Sequence, residues 1–157
     1  MIVPFTQPLA YGPIVRVVKS GDVSTSGTAF ANVTGMAVPL AANEVCVIEG
    51  TLRYLASNTA SGLNLSFTDP TGCNTAMQWL GMVSASVGAF RMSNADDTST
   101  AQTGTPSTTN PAIAFFTAHV INGSTAGLWQ LRFASETADA VTITIKSGSV
   151  MRKERIA

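Results

Sequence analysis

PAIAFFTAHVINGSTAGLWQLRF, residues 111–133, reads as two β-strands rich in aromatic and β-branched residues, joined by a turn. Alternate side chains in a strand point to opposite faces. Ala114, Phe116, Ala118 and Val120 therefore share one face, and Ile113, Phe115, Thr117, His119 and Ile121 the other. On the return strand Trp129, Leu131 and Phe133 point together, with Gln130 and Arg132 opposite them. That is the apolar-in, polar-out pattern of an antiparallel sheet with one wet side. Asn122-Gly123 can supply the turn, since both residues tolerate positive φ, and Gly127 offers a second release point. The expectation is a core hairpin with a rather long loop, whose inward residues are Phe116, Val120, Trp129, Leu131 and Phe133.

Strands of the same kind flank this stretch. Upstream, EVCVIEGTLRYLA alternates, and Cys46, Ile48, Gly50, Leu52 and Tyr54 form the better core face. LNLSF places Leu63, Leu65 and Phe67 inward and Asn64 and Ser66 outward, and Asp69-Pro70-Thr71-Gly72 closes it as a β-turn. Residues 77–83 suit either a strand or a short helix, since Met, Gln and Leu favour helix while Gly81 and the Ser/Val/Gly run do not, and strand is the reading adopted. Ile14 to Lys19 forms a first strand, SGDVSTSGT a polar loop, and Phe30 to Leu40 an apolar segment interrupted by Gly35 and Pro39. SNADDTSTAQTGTPSTT, residues 93–109, has almost nothing to bury and predicts a long exposed loop. Downstream, AVTITI and SGSVMRKERI supply the last two strands. Many short strands with turn-rich spacing and no amphipathic helix predict an all-β fold, an antiparallel β-sandwich.

Residues 1–13 read differently. Pro4, Pro8 and Pro13 forbid a helix and favour a polyproline-like backbone. The expected organisation is an extended N-terminal arm over 1–13 and a single β-sandwich domain over 14–157. Ile2, Val3, Phe5, Leu9 and Tyr11 give the arm an apolar character that has little reason to persist in water, so Ile2, Val3, Pro4, Phe5, Pro8, Leu9 and Tyr11 are candidates for attaching the sandwich to a particle. The alternative is an untidy terminus.

Composition narrows the function. The chain has 157 residues, enough for one domain that buries about two thirds of its unfolded surface. Only 11% of residues are charged, less than half of the roughly 25% usual in soluble domains. Nine basic and nine acidic residues cancel, so net charge recruits neither nucleic acid nor an anionic membrane. A neutral surface rich in Ser, Thr, Asn and Ala is poorly protected against self-association, which suggests that an assembly covers much of it. No apolar run reaches the 18 or so residues of a membrane span, and prolines break the N-terminus before a signal peptide could form.

Groups able to do chemistry are few. His119 is the only histidine, which excludes a multi-histidine zinc site within one chain, and no CxxC accompanies it. It reads as a strand residue on the wetter face, or functionally as a general base oriented by Asp69 or Asp139. Phosphate loops, nucleophile elbows and HExxH motifs are missing. Asp96-Asp97, the one adjacent carboxylate pair, could help hold Ca²⁺, but without the alternating oxygen ligands of a calcium loop it reads as a solvated loop tip. Asn32, Asn64 and Asn122 match the glycosylation pattern, which in a chain expected to lack a secretion signal reads as chance. Cys46 reads as a buried free thiol and Cys73 as a loop thiol, with a bridge between them as the alternative. Arg152, Lys153 and Arg155 read as a solvated terminal strand, or else as a contact for an acidic partner or nucleic acid. No catalytic residue, metal or cofactor is expected.

Several segments together resemble a family of β-rich bacteriophage virion proteins, which occur as small free-standing structural proteins and as terminal domains of tail-fibre-like chains. The matching pieces are VTGMAVPLAANEVCVIEGTLRYLAS, LNLSFTDPTG, HVINGSTAGLWQLRFAS and ADAVTITIKSGSVMRKERI, over residues 15–157. Family members usually carry Tyr or Phe where this chain has Cys46, and the terminal motif here is SVMRKERI. The resemblance implies a jelly-roll-like sandwich, often a homotrimer, with no enzymatic activity. The expected role is a non-enzymatic structural protein of the virion, made in the bacterial host cytoplasm. Its expected partners are itself and a major capsid protein or other virion protein, not nucleic acid or membrane. Capsid decoration is the first reading, because a chain of this length shows no heptads or collagen-like repeat from which to build a fibre. A tail-fibre tip or receptor-binding protein is the second. A carbohydrate-binding or hydrolytic β-sandwich module, marked by exposed aromatics along a groove, is the third.

Overall fold

A computed structural model describes residues 13–82, 84, 88–93, 104–105, 107–137 and 141–156. Its elements among these residues are eleven strands: β1 (Ile14–Val18), β2 (Val23–Ser26), β3 (Ala31–Leu40), β4 (Val45–Ala56), β5 (Leu63–Thr68), β6 (Asn74–Met82), β7 (Gly88–Ser93), β8 (Ala112–Ile121), β9 (Gly127–Ser135), β10 (Thr142–Ile145) and β11 (Val150–Arg155). They form two antiparallel sheets. The larger runs β1-β11-β4-β8-β6-β7, with β10 joining β4 to β2, and the smaller runs β3-β9-β5. The chain changes sheet repeatedly, from β3 to β4, β5 and β6 and again from β8 to β9 and β10. This is an all-β sandwich whose crossings are consistent with a jelly-roll-like arrangement. The arm residues Ile2 to Tyr11 lie outside the described residues, as does Asp96-Asp97.

β4 organises the larger sheet. It is twelve residues long, and β8 pairs with it from Val45 to Tyr54. Its other edge is divided, β11 taking Cys46 to Thr51 and β10 taking Tyr54 to Ala56. Gly148, at φ 79°, supplies the turn between β10 and β11. The Ser149 hydroxyl completes that junction by accepting from the Arg53 N–H at 2.9 Å.

The two strands of the opening stretch correct an expectation. β8 and β9 are not a hairpin, because β8 lies in the larger sheet and β9 is the central strand of the smaller one. Both inner faces are strongly apolar, and apposing them across the core removes both from water. Phe116, Val120, Trp129, Leu131 and Phe133 are all buried, as the alternation predicts. The Trp129 ring stacks between Phe67 of its own sheet at 5.5 Å and Phe116 of the opposite sheet at 6.2 Å.

The connecting segment is an arch and not a turn with positive φ. Among the described residues Asn43 is the one non-glycine residue in that region, at φ 59°. Asn122 is buried; its amide donates to Ala41 O at 2.6 Å and Thr125 O at 2.9 Å, and its N–H to Glu44 O at 2.8 Å. Gly123 and Gly127 are needed for close approach, since a Cβ would lie 2.7 Å from Gly72 O and 2.8 Å from the Pro70 ring. The Asp69–Gly72 turn is displaced by one residue, Cys73 N–H donating to Pro70 O with Gly72 at φ 81°.

Other elements differ in detail. SGDVSTSGT contains β2, held by β10 and by a Ser24–Thr144 hydroxyl contact of 2.8 Å. β7 is a strand that no apolar alternation announced. Ser66, expected to face water, is fully buried. Gly104 and Thr105, within the expected exposed loop, are buried too, with Thr105 N–H donating to Thr59 O at 3.2 Å. Gln130 and Arg132 do point away from the core, but they hold β3 in place. The Gln130 amide donates to Val33 O and Met36 O across a register shift between Asn32 and Ala37, and Arg132 reaches Phe30 O at 2.6 Å.

Candidate assembly surface

The outer face of the larger sheet is built from residues the alternation leaves on the far side of the core. Read across the strands, its side chains form rows, because directly paired residues in antiparallel strands share a face. One row is Val18, Val150, Thr51, Phe115 and Leu80, from β1 across β11, β4 and β8 to β6. Val18 is 65% exposed, Phe115 51% and Val150 42%. Beside it runs Arg16, Arg152, Glu49, Thr117 and Gln78, and beyond that Ile14, Glu154, Val47, His119 and Ala76. Ile113 lies on the other side of Phe115 along β8, and Ile121 at the far end of that strand; both are exposed.

An uncharged row therefore crosses the sheet next to a charged one. In the charged row Arg152 donates from Nε and Nη2 to Glu49 Oε2, at 2.9 and 2.6 Å. The Glu49 carboxylate holds the Arg152 guanidinium protonated even more firmly than usual, through its hydrogen bonds first and its charge second. In the apolar row Thr51 is short, and a shallow depression of about 560 Å³ opens there, lined by Val18, Val150, Phe115, Arg16 and the Arg152–Glu49 pair. A second depression of about 230 Å³ lies on the other flank of Phe115, against Gln78, Leu80 and Thr117. The Phe115 ring thus stands between two hollows on an apolar track.

The basic cluster at the C-terminal strand is divided by the strand itself. Arg152 faces outward, whereas Lys153 points inward and is buried, so the expectation of a solvated cluster fails at its middle residue. Lys153 Nζ donates to Glu44 Oε1 at 2.7 Å and Pro39 O at 2.6 Å, and Glu44 Oε2 accepts from Ala41 N–H at 2.7 Å. Together with Asn122 these groups form a polar knot under the β3–β4 turn and the β8–β9 arch. Lys19 is likewise buried and donates to Thr34 O at 2.9 Å; desolvation lowers its pKa, partly offset by Asp22. Neither lysine was readable as internal from its neighbours in sequence.

Other candidate groups are dispersed. His119 is exposed on the outer face. Asp69, one proposed orienter, accepts a hydrogen bond from the Thr75 hydroxyl at 2.7 Å, and Asp139 lies outside the described residues. Among the described residues no three His, Cys, Asp or Glu side chains gather as a metal site would require. Cys46 and Cys73 are both free thiols, and burial pushes the Cys46 thiol up to about 11. Asn122, one of the three sequon matches, is buried and so closed to glycosylation in the folded chain. Trp79, Trp129 and Tyr54 are buried, which leaves none of them to line a sugar-binding groove. Among the described residues no helix is long and apolar enough to cross a membrane.

No family model matches the chain, and no curated protein does. Solved structures similar to it include the tripod from the baseplate of bacteriophage Tuc2009, at 12% identity and a TM-score of 0.34, covering 87% of this chain and 63% of that one. The infectious bursal disease virus Gt strain is similar at 10% identity and a TM-score of 0.27, covering 92% of this chain and 38% of that one. A family two carbohydrate esterase from Cellvibrio japonicus is similar at 9% identity and a TM-score of 0.23, covering 88% and 35%. This chain spans less than two thirds of the length of each.

Proposed function

We propose that this chain is a non-enzymatic structural component of a bacteriophage particle, decorating the capsid as a homotrimer seated on the major capsid protein. The observation that carries the reading is the exposed apolar row across the larger sheet. A row containing Val18, Val150 and Phe115, each more than two-fifths exposed, is the kind of surface a partner protein covers. The low charge of the chain and the resemblance of its segments to phage virion proteins support the same reading. A tail-fibre tip or receptor-binding role would use the sandwich equally well; position on the particle separates the two. In this reading residues 1–13 are the strap that ties each sandwich into the assembly, since a segment already ordered by proline loses less entropy on docking.

Light scattering on the purified chain at micromolar concentration, with protein quantification of purified particles, tests the reading. A trimer in solution and many copies per particle are expected. A monomer that is also absent from particles would exclude it. A chain beginning at Ile14 should still fold but lose binding to undecorated particles; equal binding would move the attachment onto the sandwich.

A further inference from the structure

We propose that the apolar row on the outer face of the larger sheet is the seat of the N-terminal arm of a neighbouring copy. This rests on the proposed function, because it takes the chain to be an oligomeric particle component and specifies what its arm grips.

Dimensions, charge and direction carry the proposal. From Val18 to Leu80 the row crosses four strand-to-strand steps, about 19 Å at ~4.8 Å each. From Phe5 to Tyr11 an extended polyproline-like chain advances six residues, also about 19 Å at ~3.1 Å each. Three large apolar side chains, Phe5, Leu9 and Tyr11, are thus available over the length of a track with hollows on both flanks of Phe115. Residues 1–13 contain no Asp, Glu, Lys or Arg, and the row they would cover is uncharged. The adjoining row carries the Arg152–Glu49 pair, which satisfies itself, and the exposed Arg16, whose long side chain can keep its charge in water beside the arm. An arm crossing over the strands forms no ladder, and the donors missing at Pro4, Pro8 and Pro13 therefore cost nothing there.

Direction selects the neighbour's arm over the chain's own. β1 runs from Ile14 toward Val18, so the arm's point of attachment is at the end of β1 remote from the row, about 13 Å away at ~3.3 Å per residue. Pro13, whose φ is fixed by its ring, leads directly into that paired strand. Both features oppose an immediate reversal onto the same sheet.

The test uses two full-length variants in a Cys73→Ser background, one isotopically labelled and carrying Leu9→Cys, the other unlabelled and carrying Phe115→Cys. Cys46 is buried and stays silent. Mixed, allowed to exchange and mildly oxidised, they should yield a disulfide-linked labelled–unlabelled pair, in about tenfold or greater excess over the pairing of Leu9→Cys with His119→Cys. His119 is the control because it is exposed on the same strand but two rows away. A single chain carrying both Leu9→Cys and Phe115→Cys that links only within itself would overturn the choice of a neighbour. An oligomer that persists by light scattering with no 9–115 link in either arrangement would overturn the seat while leaving the structural role in place. Absence of the protein from particles would instead remove the structural role, whatever the cross-linking.

Discussion

Gly50 and Phe116 illustrate how single residues set this fold. They are directly paired between β4 and β8, and a Cβ on residue 50 would lie 2.2 Å from the Phe116 ring and 2.9 Å from Val150 O. Gly50→Ala should therefore destabilise by about 3 kcal/mol, near the upper end for overpacking, seen as a lower melting temperature. An unchanged melt would mean that the ring does not rest on residue 50. Lys153 offers a second test. Lys153→Met leaves Glu44 buried without its cation and should cost about 3–5 kcal/mol. Adding Glu44→Gln should recover part of that loss, since a neutral amide still accepts from Ala41 N–H and leaves no buried charge; a double variant less stable than Lys153→Met alone would contradict the account. Gly50 was legible in sequence as a core-face position, but its partner was not. Lys153 was misread because an alternating strand places a charge indoors whenever a carboxylate from a distant turn waits there, and Glu44 is 109 residues away.

At the scale of elements, side-chain alternation told which residues of β4, β5, β8 and β9 face the core, yet not which strands pair. Period-2 patterning is local, whereas the partner of a strand is chosen by the loop that follows it and by the surface it must cover. The β8–β9 connection shows the difference. Asn122-Gly123 looks like a hairpin turn in isolation, but the Asn122 amide binds Ala41 O, 81 residues earlier, and pins an arch that carries β9 to the opposite sheet. β2 and β7 escaped notice because their sequences, VSTS and GAFRMS, carry little alternation and owe their strand form to β10 and β6. Since Trp129 stacks on rings from both sheets, Trp129→Ala should cost about 3–5 kcal/mol, while His119→Ala on the wet face should leave the melt nearly unchanged. The reverse order in thermal melts would invert the two faces.

For the molecule as a whole, the low charge visible in the sequence and the apolar row visible in the structure point the same way. The row itself could not be read beforehand, because Val18, Val150, Phe115 and Leu80 come from four strands spread over the chain and become neighbours only through register. A surface of this kind is stable in water when something covers it, and a particle made of many copies is the setting the reading assigns. The most direct measurement is electron microscopy of native particles decorated with an antibody against this chain. The account predicts label repeated regularly over the head surface, at positions compatible with trimers. Label confined to the tail would contradict capsid decoration, and particles that bind no antibody would contradict the structural role itself.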